Sequence, residues 1–194
     1  MTKKPYLAGL REMGAVWSKD AAAASRWITQ GLVDPDAAVV VSGSRYWPLG
    51  WVRDNGPQLQ RKSPVLDQAA LDRIVEEQSP GGWVFAKQEL PPLVGSKELA
   101  ALYKLPATSA PAFIADGRFG RPDWTVSGSP LWLLDTVVDL LPILLARSQA
   151  GHARSRTWEI DGEVEAALRE GRYDGPGSQI LLRGKGAVAA RNKA

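Results

Sequence analysis

The sequence has no cysteine and a single histidine, His152. Disulfides, thiolate metal sites and histidine-cluster metal sites are thereby excluded. Long apolar runs are missing too. The most apolar stretch, residues 131–146, carries Asp135, Asp139 and Pro142. It is shorter and more charged than the roughly 20 apolar residues that a membrane span takes. The start, Met1-Thr2-Lys3-Lys4-Pro5, leads into no signal-peptide apolar core. A cytoplasmic protein is expected. There is no Gly-x-x-x-x-Gly-Lys phosphate loop, no ligand cluster and no histidine near a candidate nucleophile in the sequence. Asp34-Pro35-Asp36 pairs two carboxylates, and its expected job is a turn. No catalytic site, metal or cofactor is expected.

What is present is an ordinary globular balance over 194 residues, 44% hydrophobic and 23% charged. The formal charge of +3 permits a nucleic-acid partner without requiring one. The organising feature is a stretch that occurs twice. Residues 7–54 run from Leu7-Ala8-Gly9 through Glu12, Ala15 and Trp27 to Ser42-Gly43-Ser44 and Trp47. Residues 93–139 run from Leu93-Val94-Gly95 through Glu98, Ala101 and Phe113 to Ser127-Gly128-Ser129 and Trp132. The offset is 86 from Gly9/Gly95 to Gly31/Gly117, and 85 after a deletion near Val41. Such a self-match marks one supersecondary unit built twice. Each block of about 50 residues buries too small a core to stand alone, so the two are expected to lean on each other or on the connecting segments.

Along the chain, residues 1–6 are a basic arm. Leu10, Met13, Val16 and Trp17 fall on one helical stripe. Asp20 is placed to cap a second helix, Ala21–Gln30, whose Ala24, Trp27 and Ile28 face inward, with Gly31 ending it. Ala38–Val41 reads as a strand, Ser42-Gly43-Ser44 as a hairpin turn, Arg45–Trp47 as the return strand, and Leu49–Asp54 as a closing helix. The second block repeats this with helices at 96–103 and 107–116, a strand at 124–126, a return at 131–132, and a closing helix 134–147 interrupted by Pro142. Between the blocks, Asp67–Gln78 reads as an amphipathic helix, and Trp83–Phe85 as an apolar run packed on a unit. After them, Thr157–Ile160 reads as a strand and Glu163–Glu170 as a short helix. His152, Arg154 and Arg156 lie in a polar linker. Arg183, Lys185, Arg191 and Lys193 form a basic end without an acid. The class expected is α+β, mainly α. The organisation is 5–55 first unit, 56–90 helical connector, 91–147 second unit, and 148–194 basic linker with a small C-terminal extension.

The pattern Leu-x-Gly-x-x-Glu-[Met/Leu]-x-Ala, then an aromatic, Gly and Ser-Gly-Ser-x-x-Trp, resembles the excisionase-like, MerR-like winged helix-turn-helix domains of actinobacterial phages and plasmids. The likeness covers about half the chain. It implies two tandem winged helix-turn-helix units that bind double-stranded DNA in a sequence-specific way. The roles it implies are repressor, excisionase, or replication or partition factor.

In such a unit the second helix enters the major groove with its outward side chains on base edges. In copy one these are Ala21, Ala22, Ser25, Arg26 and Thr29. Arg26 suits guanine and the alanines suit thymine methyls. Lys19 suits a phosphate, and Ser44 and Arg45 at the wing suit the flanking backbone or the minor groove. Arg11 and Arg53 are further basic candidates. Copy two departs: Arg26 aligns with Ala112, Ser25 with Pro111, and Arg45 with Pro130. Its remaining candidates are Lys104, Thr108, Ser109, Arg118 and Arg121. Pro111 is compatible with a helix only if that helix starts late, capped by Thr108 or Ser109. Copy two then either reads DNA through small side chains or serves as a packing or interaction module. Trp27, Trp47 and Trp132 recur where a core would be, so they are read as packing. Two unequal units in one chain imply an asymmetric DNA site. The alternative is a protein–protein adaptor, with a partner or self-association through the second unit or the C-terminal extension.

Overall fold

The fold was obtained as a computed structural model that describes residues 4–57, 64–150 and 157–180. It is mixed α+β, mainly helical, with two three-stranded antiparallel sheets. Among the described residues no helix is long and apolar enough to cross a membrane. The first half runs β1 (Leu7–Ala8), α1 (Leu10–Val16), α2 (Ala21–Thr29), β2 (Val39–Val41), β3 (Ser44–Pro48), α3 (Leu49–Asp54) and α4 (Gln68–Glu77). The second half runs β4 (Leu93–Val94), α5 (Ser96–Leu102), α6 (Ala110–Ala115), β5 (Trp124–Val126), β6 (Ser129–Leu133), α7 (Leu134–Val138), α8 (Leu141–Ala150) and α9 (Gly162–Arg169).

Each sheet places its hairpin's return strand in the middle, in the orders β1-β3-β2 and β4-β6-β5. The outer strands β1 and β4 were not foreseen, because two residues show no alternation. Both hairpins close through two residues with positive φ, Ser42 (50°) and Gly43 (80°) in one, Ser127 (49°) and Gly128 (79°) in the other. That is the geometry of the two-residue turn whose twist matches the strands. α2 begins where expected, with the Asp20 carboxylate accepting from Ala23 N–H at 2.7 Å. It ends before Gly31, whose φ of 70° needs no side chain.

The doubling reaches beyond the two blocks. The N–H of Asp67 donates to the carbonyl of Val16, the last residue of α1, at 2.8 Å. The N–H of Asp161 donates to the equivalent Leu102 carbonyl, also at 2.8 Å. Both aspartates then cap a helix, α4 and α9. Leu71 and Ile74 enter the first core, and Leu168 enters the second. The connector helix α4 and the C-terminal helix α9 thus hold equivalent places in one longer unit, to which the second copy adds α8. One internal hydrogen bond even survives a change of residue. Trp17 Nε1–H donates to Val52 O at 3.1 Å in copy one, and Tyr103 O–H donates to the equivalent Val137 O at 2.7 Å in copy two.

Two expectations are corrected. The second helix of copy two is not 107–116 but Ala110–Ala115. Pro111 fits only in its first turn, so residues 106–109 turn before it. Thr157–Ile160 forms no strand; Trp158 is buried edge-on against Tyr103 and Phe119 instead. The Trp83–Phe85 run packs on the first half: Trp83 stands edge-on to Tyr6 with ring centroids 5.4 Å apart, and the Val84 carbonyl and the Phe85 ring lie against Gly50, while Trp83 and Phe85 stay 40% and 43% exposed.

The two halves meet through their turns. Glu98, three residues after Gly95 in α5, accepts from Ser42 N–H (2.7 Å), Ser42 Oγ–H (2.5 Å) and Gly95 N–H (3.1 Å). Glu12 accepts from Ser127 N–H (2.8 Å), Ser127 Oγ–H (2.6 Å) and Gly9 N–H (3.0 Å). In return Ser42 Oγ accepts from Lys97 N–H (2.9 Å), and Ser127 Oγ from Arg11 N–H (3.0 Å). Leu7, Val41 and Tyr46 of the first half and Leu93, Trp124, Val126 and Leu131 of the second form an apolar cluster beside these contacts. Glycine is required at 9 and 95, since a Cβ there would lie 2.4 Å from the opposing serine Oγ.

Two outcomes follow from these contacts. Glu98 is 2% exposed and serves three donors, so Glu98→Ala is expected to cost about 3 kcal/mol in urea unfolding. Glu12→Ala, at a half-buried position, is expected to cost less. Equal, small losses would show the clasp to be dispensable. Secondly, Trp47 Nε1–H donates to Asp34 O at 3.1 Å, whereas Trp132 Nε1–H, buried, has no partner among the described residues. Trp47→Phe should therefore destabilise by about 1 kcal/mol more than Trp132→Phe, and the reverse order would refute this.

Candidate nucleic-acid interface

The exposed face of α2 matches its sequence pattern. Ala21, Ala22, Ser25, Arg26 and Thr29 are exposed, Ala24 and Trp27 are buried, and Ile28 is half-buried. Ala23 is buried as well, because α2 packs closely on α1, where Gly14 leaves no room for a Cβ against Asp20 and Lys19. Thr29 Oγ1 donates to Ser25 O at 3.1 Å.

Along one side of α2 runs a groove of about 640 Å³. Ala21, Ser25, Ile28 and Thr29 form one wall, and Arg11, Ser44 and Arg45 lie opposite. Among the described residues no Asp or Glu lines it. Among the described residues the side chains of Arg11, Lys19, Arg26 and Arg45 take part in no ion pair. Four cations that form no ion pair among the described residues thus stand around one exposed helix, a pattern that suits phosphate oxygens. Arg53, the other basic candidate of copy one, is bound to Asp54 at 2.7 Å and lies over the rings of Trp83 and Phe85.

The hairpin turns do not project as free wings. Ser42 and Ser127 are taken up in the contact between halves, and Gly43 N–H donates to Gly177 O at 2.8 Å. Ser44 and Arg45 are half-buried on the return strand and form a groove wall rather than a protruding tip. The sequence also gave no sign that Ser127 and Ser129 of the other copy line this groove; only the reciprocal packing brings them there. Tyr46 lies at its floor, its ionisation pushed up by burial, with hydrogen bonds to Ser129 and Ser44 pulling the other way.

Copy two presents a different surface. Lys104 is paired with Glu159 at 2.9 Å. Arg118 lies near Asp116 (3.7 Å) and over the ring of Phe113. Arg121 and Thr108 are exposed and Ser109 is half-buried. Pro111 and Ala112 are exposed at the positions of Ser25 and Arg26. The Phe113 that aligns with Trp27 is covered by Trp158, the ring centroids 5.7 Å apart. His152, Arg154 and Arg156, and the terminal Arg183, Lys185, Arg191 and Lys193, lie outside the described residues. Among the described residues no group of three or more His, Asp or Glu side chains is arranged to hold a metal ion.

The two second helices start differently, and this is measurable. Asp20 makes a side-chain cap and Ser109 makes none. Asp20→Ala is expected to lower stability by about 1 kcal/mol, with Ser109→Ala near neutral; equal losses in thermal unfolding would contradict the assignment.

Compared with protein-family models, curated proteins and solved structures, the chain matches none.

Proposed function

We propose that the chain is a non-catalytic, cytoplasmic, sequence-specific double-stranded DNA-binding protein. It is built from two winged helix-turn-helix units in cis and acts as a regulator or accessory factor of a mobile element. The observation that supports this reading is the exposed α2 face, small and polar, set among Arg11, Lys19, Arg26 and Arg45, which form no ion pair among the described residues. Small side chains let a helix approach base edges, and arginine beside them can make the bidentate contact with guanine. Copy two has its basic residues Lys104 and Arg118 beside acids. Base reading is therefore assigned chiefly to copy one, with copy two holding it in place, and the DNA site is asymmetric.

The adaptor reading keeps one observation of its own. A cleft of about 710 Å³ runs between the edge strand β2 and the C-terminal segment around α9, with Leu90, Leu93 and Leu168 among its lining. An extended peptide can add to such an edge.

Salt titration separates the two. Phosphate contacts make log K fall linearly with log salt, about 0.9 per phosphate neutralised. Duplex binding with that slope is expected for the DNA reading, and no binding at low salt would favour the adaptor. Arg26→Ala is expected to cost about 1–3 kcal/mol and to relax preference at one base pair. An equal loss on random duplex would reduce Arg26 to a backbone contact.

A further inference from the structure

On the side of α2 away from the groove lies a shallow depression of about 560 Å³. Lys19 from the turn before α2, Arg26 from α2 and Arg73 from α4 line it together. Two carboxylates, Asp20 and Asp67, line it as well. Each is engaged as a helix cap, Asp20 by Ala23 N–H at 2.7 Å and Asp67 by Ala70 N–H at 2.9 Å. α4 also carries the exposed acids Asp72, Glu76 and Glu77; Asp72 accepts from Gln68 Nε2 at 2.7 Å, and among the described residues none of the three is ion-paired to Arg73. Among the described residues Arg73, like Lys19 and Arg26, makes no ion pair and no side-chain hydrogen bond. All three side chains are exposed.

α2 is therefore a ridge with unpaired basic side chains on both flanks among the described residues, the capping carboxylates Asp20 and Asp67 lying on the second flank. Arg11 and Arg45 stand on one side, Lys19 and Arg73 on the other, and Arg26 rises from the ridge itself. A helix seated in a major groove has a phosphate backbone on each side of it. We infer that Arg73, on the helix between the two repeated blocks, is a phosphate contact of the DNA interface. It holds with Lys19 the strand opposite the one met by Arg11 and Arg45. This rests on the DNA-binding reading above and extends the interface from the helix-turn-helix to α4.

The test uses the full chain and labelled mixed-sequence duplex, with affinity measured across a salt series. Arg73→Gln is expected to lower affinity about fivefold at 0.1 M salt, equally on preferred and random duplex, and to reduce the salt slope by about 1. Arg73→Lys should retain the slope. Arg147→Gln, at an exposed cation on α8, should change neither. Unfolding midpoints of the variants confirm that each is folded, as expected for exposed positions. If Arg73→Gln behaves like Arg147→Gln while Arg45→Gln weakens binding, the inference is overturned and the DNA reading stands. If the unaltered chain binds no duplex at low salt, the DNA reading itself falls, and this inference with it.

Discussion

The start of a helix leaves backbone N–H groups without partners, and an Asn, Asp, Ser or Thr side chain usually meets one of them. Here the residue at that place is glycine, in both α1 and α5. The missing oxygen comes from the other half of the molecule: Ser127 Oγ accepts from Arg11 N–H, and Ser42 Oγ from Lys97 N–H. The glutamate that would complete a capping box within one helix also reaches across, to the N–H and hydroxyl of the same serine. Serine with positive φ is uncommon, and a left-handed residue of this kind costs on the order of 1 kcal/mol. The carboxylate offsets that by binding the turn at two points. Neither the helix start nor the hairpin turn is complete by itself. Each half of the molecule finishes the other, twice.

This reciprocity explains which parts of the fold were legible in the sequence. Gly9-x-x-Glu12 and Ser42-Gly43-Ser44 recur at fixed spacing, and so do Gly95-x-x-Glu98 and Ser127-Gly128-Ser129. Recurrence revealed the unit and the order of its elements. It did not reveal that the two motifs are halves of a single contact, because spacing within a copy carries no information about contacts between copies. The serines read as a hairpin turn at a wing, and the glutamates only as recurring letters of the pattern. The buried side of α2 was readable from Ala24 and Trp27 because 3.6-residue periodicity records burial directly. β1 and β4 were too short to record anything. The likeness of α4 to α9 was hidden because only an aspartate and a backbone hydrogen bond persist in it.

The candidate site was legible in part for the same reason. Exposure of Arg26 follows from the periodicity of one helix, so sequence reached it. Arg73 required α4 to be docked beside α1, and Ser127 and Ser129 required the second half to close on the first. Pairing was equally invisible: Lys104 reads as a free cation until Glu159, 55 residues on, is brought to 2.9 Å from it.

A duplicated unit held by reciprocal contacts is constrained in its interior on both sides and free on its outer faces. The interior shows it, since Trp17 and Tyr103 differ in chemistry yet donate to equivalent carbonyls. The outer faces diverge: Arg26 against Ala112, Ser25 against Pro111, Arg45 against Pro130. Loss of cations from one copy leaves the clasp untouched, because the clasp uses backbone N–H groups of Arg11 and Lys97 rather than their charges. On the proposed function, the second copy is then kept for what it supplies to the first. It gives the serine that finishes α1, the wall of the groove beside α2, and a fixed seat for the hairpin that carries Arg45.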